Sequence, residues 1–155
     1  MKKIFFYFVS ISVIIFSGIL FSNTSLLGLI FIIFIGLYRG SATGSTIGFF
    51  LGLTDGIFAS STFGVLSFSY AVVGYVTGRL PGRIDEENPL AQIIIVFIGV
   101  IFSKIISIIL EMIFTGNKGI LGIGWEFIFV IFVPLFFTIF KKWWLLWFEK
   151  LTVER

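Results

Sequence analysis

Cysteine and histidine are both absent from this 155-residue chain. The first absence removes disulfides, thiol nucleophiles and thiolate metal sites. The second removes the commonest general base and the commonest transition-metal ligand. Charge is scarce as well: 12 % of residues are charged, against about 25 % in soluble globular chains. The net charge of +3 sits at the ends and in short loops, the pattern of an inner-leaflet anchor rather than a nucleic-acid-binding face. No nucleic-acid partner, no cofactor and no enzymatic activity is expected. Apolar residues fill the chain instead, at 58 %, with 22 phenylalanines, 17 glycines and a mean hydropathy of +1.14. That composition belongs in a bilayer, and the length suits one small bundle without a second domain. The expected fold is all-α: a polytopic integral membrane helical bundle forming a single transmembrane domain over 1–155.

Six apolar segments are readable, at about 4–21, 26–38, 42–58, 63–77, 90–114 and 120–140. The first exceeds a signal-peptide core of about 7–15 residues and no A-x-A site follows it, so a retained helix is expected. The second has 13 residues, or about 20 Å of helix against a hydrocarbon core near 30 Å. It is extended by its flanks, sits in thinned bilayer, or is partly re-entrant. Pro134 inside the sixth segment predicts a kink. With the N-terminus inside, the inner side collects Lys2, Lys3, Arg39, Arg79, Arg83, Lys141, Lys142, Lys150 and Arg155. The outer side collects only Lys118, and Lys104 falls within the fifth segment. That asymmetry requires an even number of crossings. Six spans with both termini cytoplasmic is the simplest solution, and four spans is the runner-up.

Local signals mark the fifth segment. Asp85, Glu86 and Glu87 precede Asn88, a good N-cap, and Pro89 suits the first helical position. Capping accounts for this cluster, and the functional reading is an acidic docking loop for a cytoplasmic partner. Residues 141–155, beginning Lys141-Lys142-Trp143-Trp144 and including Trp147, read as a basic, aromatic, interfacial cytoplasmic tail.

Four ionisable residues fall inside predicted spans: Asp55, Lys104, Glu111 and Glu126. Such residues face a bundle interior, a partner or a wet cavity. Lys104 and Glu111 are two turns apart on one helix face, and Glu126 comes to a similar depth on the antiparallel sixth helix. The structural reading is a paired network that fixes helix register; the functional readings are an ion relay or a polar pocket. Ser103 and Ser107 flank Lys104 as a conceivable serine–lysine nucleophile pair, although serine in such helices commonly hydrogen-bonds a neighbour.

Glycine recurs every four residues at Gly40, Gly44, Gly48, Gly52 and Gly56. In water each would cost a helix about 1 kcal/mol relative to alanine, whereas in a bilayer small residues let helices approach closely. The row winds slowly round the helix, since a turn takes 3.6 residues. It is either a packing seam within the chain or a groove for a partner helix.

Gly48-Phe-Phe-Leu-Gly52, then Asp55, then Ser60-Ser61-Thr62-Phe63-Gly64-Val65, then Val73-Gly74-Tyr75-Val76-Thr77-Gly78, resembles the rod shape-determining MreD family. Gly64, Gly74, Tyr75 and Gly78 match the family spacing, while Asp55 comes one residue earlier than the family's aspartate. The resemblance implies a non-enzymatic scaffold of the bacterial cell-elongation machinery in the cytoplasmic (inner) membrane. It implies an MreC-like bitopic partner, with links to an MreB-like filament and to RodA with its penicillin-binding protein. On that resemblance a partner helix is expected at Gly48 and Gly52. The family is also similar in fold to the S components of energy-coupling-factor transporters, which makes a small-molecule carrier subunit the alternative.

Overall fold

The computed structural model describes residues 25–58, 64–81, 85, 87–116 and 130–147, together with Phe8 and Ser12. The described chain is all-helical, as expected. The helices are α1 (Ser25–Arg39), α2 (Ser41–Phe58), α3 (Val65–Thr77), α4 (Pro89–Thr115) and α5 (Val133–Trp147). A 3-10 turn, Val130–Phe132, leads into α5. The segment expected at 4–21 lies outside the described residues, apart from Phe8 and Ser12. So do Lys118, Glu126 and the tail beyond Trp147.

α1 is the centre of the bundle. Ile30, Ile32, Ile33, Ile35 and Leu37 have 0 % of their surface exposed. At 100° per residue these side chains point in every direction, so the helix must be enclosed on all sides. α2, α3, α4 and α5 all pack against it. Phe31 and Phe34 meet the edges of Phe140 and Phe137 from α5, with ring centroids 5.3 and 5.5 Å apart. The short second segment is thus a core helix of about 22 Å, sheathed by its neighbours.

Gly40 turns the chain from α1 into α2 in a single residue. Its φ of +87° lies in the left-handed region that glycine adopts without strain. Its N–H donates to the Gly36 carbonyl and its own carbonyl accepts from Gly44 N–H, both at 3.0 Å, so one residue ends one ladder and opens the next. Gly40 is a corner, and the expected row of five glycines on one helix becomes a row of four on α2, from Gly44 to Gly56. Gly64 likewise has φ +87° at the start of α3.

The predicted start of α4 is found. The Asn88 side chain accepts from Leu90 N–H at 3.0 Å and Pro89 follows it. Gly116, at φ +67°, ends the helix and donates to the Met112 carbonyl. At 27 residues, α4 alone among the described helices is long and apolar enough to cross a membrane. Six full-length spans are therefore not supported: α1 is enclosed, and the 13 residues of α3 rise only about 20 Å. Pro134 occupies the first turn of α5, where no intrahelical N–H is lost. It follows the 3-10 turn that opens α5; the residues before Val130, against which the expected kink would be judged, lie outside the described ones.

α5 runs unbroken through Lys141 to Trp147. Trp144, expected in the interface, is 2 % exposed, and the Arg39 guanidinium lies 5.3 Å from its ring centroid. Trp143 packs on the same core. The tail reading therefore fails for these residues, because α5 carries their rings into the bundle. Gly78 at the end of α3 meets Gly40 and Ser41, and Lys141 binds Glu87 just before α4. Arg39, Arg79, Lys141 and Lys142 accordingly share one end of the bundle.

Candidate functional site

The closest contact in the fold is the antiparallel seam between α2 and α3. A Cβ at Gly44 would stand 2.7 Å from the Gly74 carbonyl oxygen, and one at Gly48 2.5 Å from that of Tyr70. At Gly52 it would stand 2.5 Å from both the Leu66 carbonyl oxygen and Ser67 Cα. Gly74 faces Gly44, and Gly78 faces Gly40 and Ser41, each too close for a side chain. Backbone lies against backbone from Gly40 to Gly52, and small residues are what permit it. The expected docking of an outside helix at Gly48 and Gly52 is corrected by this packing, since α3 already fills that face. Gly56 is buried on α2. Gly64 contributes backbone conformation instead of packing, because a Cβ there would meet nothing within 4 Å.

Gly36 was not singled out in the sequence. It presses on Thr77 and Gly74 from α1, where a Cβ would stand 2.5 Å from Thr77 Oγ1. Its signal was available, since it continues the spacing of four one step before Gly40. The two halves of the family-like motif, Gly48 to Gly52 and Gly74 to Gly78, belong to the two sides of one seam.

Polar groups collect inside the bundle beside this seam. Asp55 on α2 is 7 % exposed, and its Oδ2 accepts a hydrogen bond from the hydroxyl of Tyr70 on α3 at 3.1 Å. Tyr70 is fully buried. The antiparallel register explains the pair: Tyr70 sits opposite Gly48, and a long helical side chain leans toward its own N-terminus, here toward the level of Asp55. Ser69, on another face of α3, donates to the Ser103 carbonyl at 2.8 Å, and the two hydroxyls are also 2.8 Å apart. Ser67 Oγ is buried with no hydrogen-bond partner among the described residues. This arrangement can hold helix register, and it places a carboxyl, a phenol and hydroxyls inside the bundle.

Lys104 and Glu111 are half-buried on α4. The Ser103 hydroxyl beside Lys104 is engaged across the α3–α4 contact, which is the structural role anticipated for serine there. The expected approach of Glu126 to Lys104 lies outside the described residues. At the basic end, Glu87 of the acidic loop is joined to Lys141 by an ion pair and hydrogen bond. That bond, together with the Lys141 charge, holds the Glu87 carboxyl below its ordinary value. Asp85 accepts from Glu87 N–H at 3.2 Å. The loop thus closes on α5.

Searches against protein-family models, curated proteins and solved structures find no match to this chain.

Proposed function

We propose that the chain is a membrane-embedded, non-enzymatic scaffold subunit of the bacterial cell-shape machinery, with both termini on the cytoplasmic side. One observation carries the membrane part: the described surface is broadly apolar, while six polar residues lie inside an otherwise apolar core. Asp55, Ser67, Ser69, Thr77, Gln92 and Ser103 are buried. Ile94, Ile98, Ile105, Ile109 and Ile113 of α4, Phe68 of α3, Ile131 of the 3-10 turn, and Leu135 and Ile139 of α5 are exposed. Monomers in water rarely expose contiguous apolar patches beyond a few hundred Å², whereas lipid favours such a surface. In this reading α4 crosses completely, α1 is carried inside, and the segments at 4–21 and 120–140 complete a six-segment order.

The scaffold part rests on the resemblance to the MreD family and on the tight glycine seam, which gives α2 and α3 the rigidity of a single body. An MreC-like helix would meet the outer apolar surface, because the glycine face is occupied. The buried Asp55–Tyr70 pair favours the second reading, a carrier subunit, since a carrier needs polar groups converging away from lipid. Depletion of the protein in its own rod-shaped host, with affinity purification of a tagged copy, separates the two. Rounding of the cells and co-purification of an MreC-like bitopic protein support the scaffold. Unchanged shape with co-purification of an ATPase module would overturn it in favour of the carrier.

A further inference from the structure

We propose that Arg79, held over Tyr75 at the end of α3, binds the phosphate headgroup of an anionic phospholipid in the cytoplasmic leaflet. The inference rests on the membrane reading above. Phe68, Tyr75, Val76 and Arg79 are all exposed and recur on one face of α3 and its C-terminal turn. The eleven steps from Phe68 to Arg79 rise about 16 Å, close to half of a hydrocarbon core of about 30 Å. An acyl chain lying along Phe68 and Val76 therefore brings its headgroup level with Arg79. The Arg79 guanidinium carbon lies 4.7 Å from the Tyr75 ring centroid. Stacking of this kind orients the planar fork and leaves its in-plane N–H groups available to a phosphate.

α5 and the 3-10 turn that leads into it repeat the pattern. Ile131, Leu135, Ile139 and Lys142 are exposed on one face, again over eleven steps, and run to the same end of the bundle. Lys141 is matched by Glu87, whereas Arg79 and Lys142 make no ion pair among the described residues. Two cations without acidic partners among the described residues, each at the foot of an apolar stripe one leaflet long, complement a lipid whose headgroup is net negative.

The test uses the purified full chain in micelles containing equal amounts of phosphatidylglycerol and phosphatidylcholine, with bound lipid counted by native mass spectrometry. Wild type should retain phosphatidylglycerol in preference. Arg79→Gln should lower the ratio roughly fivefold, and Arg79→Gln with Lys142→Gln by roughly fivefold again. Arg79→Lys should keep part of the preference. Both arginine substitutions sit on an exposed side chain, and unchanged thermal melting will confirm that they fold. Equal retention of the two lipids by wild type, or an unchanged ratio in the double variant, overturns the headgroup site alone. Retention of neither lipid overturns the membrane reading beneath it. Displacement of the bound lipid by inorganic phosphate would make this a general anion site and overturn the lipid assignment.

Discussion

Gly48→Ala adds one carbon where two backbones already touch. The new Cβ would stand 2.5 Å from the Tyr70 carbonyl oxygen, 2.8 Å from its carbon and 3.1 Å from Ala71 nitrogen. All three atoms belong to the backbone of α3, so no side-chain rotation relieves the contact. The helices must separate until the closest contact exceeds 3.0 Å, and the neighbouring contacts at Gly44 and Gly52 lengthen with it. Overpacking of this kind costs roughly 1–3 kcal/mol, even though alanine is the better helix former by about 1 kcal/mol. For a chain of this size that corresponds to a fall in melting temperature of roughly 2–12 °C, measured by thermal unfolding in detergent. Gly64→Ala is the contrast. Space is open there and the strain is conformational, about 1–2 kcal/mol, so Gly64→Asn should recover part of it. The same asparagine at Gly48 should be worse than alanine. A Gly48→Ala protein that melts at or above the wild-type temperature would refute the seam.

Tyr70→Phe removes the donor to Asp55 and leaves a buried carboxyl without its bond, at a cost of about 1–3 kcal/mol; Asp55→Leu in the same chain should recover much of that loss in a double-mutant cycle. Ser69→Ala and Ser103→Ala should couple by about 0.6 kcal/mol, the average for hydrogen bonds between membrane helices, and strictly additive effects would disprove the contact. The Glu87–Lys141 pair should make stability fall in acid. Because the folded Glu87 is held below its ordinary value of 4.5, its contribution is complete above that value and is lost as pH falls through the lowered one. Glu87→Gln should remove this part of the acid dependence, as read from melting temperature against pH.

The parts of the fold legible in the sequence are those fixed by local chemistry. Asn88 and Pro89 open α4 as read, because caps act within a turn of the residues they serve. The glycine spacing announced a close approach but not the approaching element, since a bare backbone face accepts an internal or an external helix equally. Gly40 and Gly64 were read with the packing glycines because the letter is the same, while their positive φ is set by the junctions they occupy. α1 escaped recognition for a different reason. A helix that is apolar all round suits lipid and a protein core equally, because lipid tails are as apolar as leucine. Trp144 was assigned to the interface on the usual preference of tryptophan, yet α5 turns it inward beneath Arg39. The Asp55–Tyr70 pair joins residues 15 apart in the chain, and only the register of α2 against α3 shows that they meet.

The absence of cysteine makes the central claim directly measurable, because each introduced cysteine is the only one in the molecule. A spin label at Ile98→Cys or Ile105→Cys on the outward face of α4 in liposomes should collide readily with oxygen and hardly at all with a water-soluble nickel complex. A label at Lys142→Cys should show the reverse. If the labels at Ile98 and Ile105 are open to the nickel complex, the apolar surface faces water and the membrane-embedded bundle is wrong.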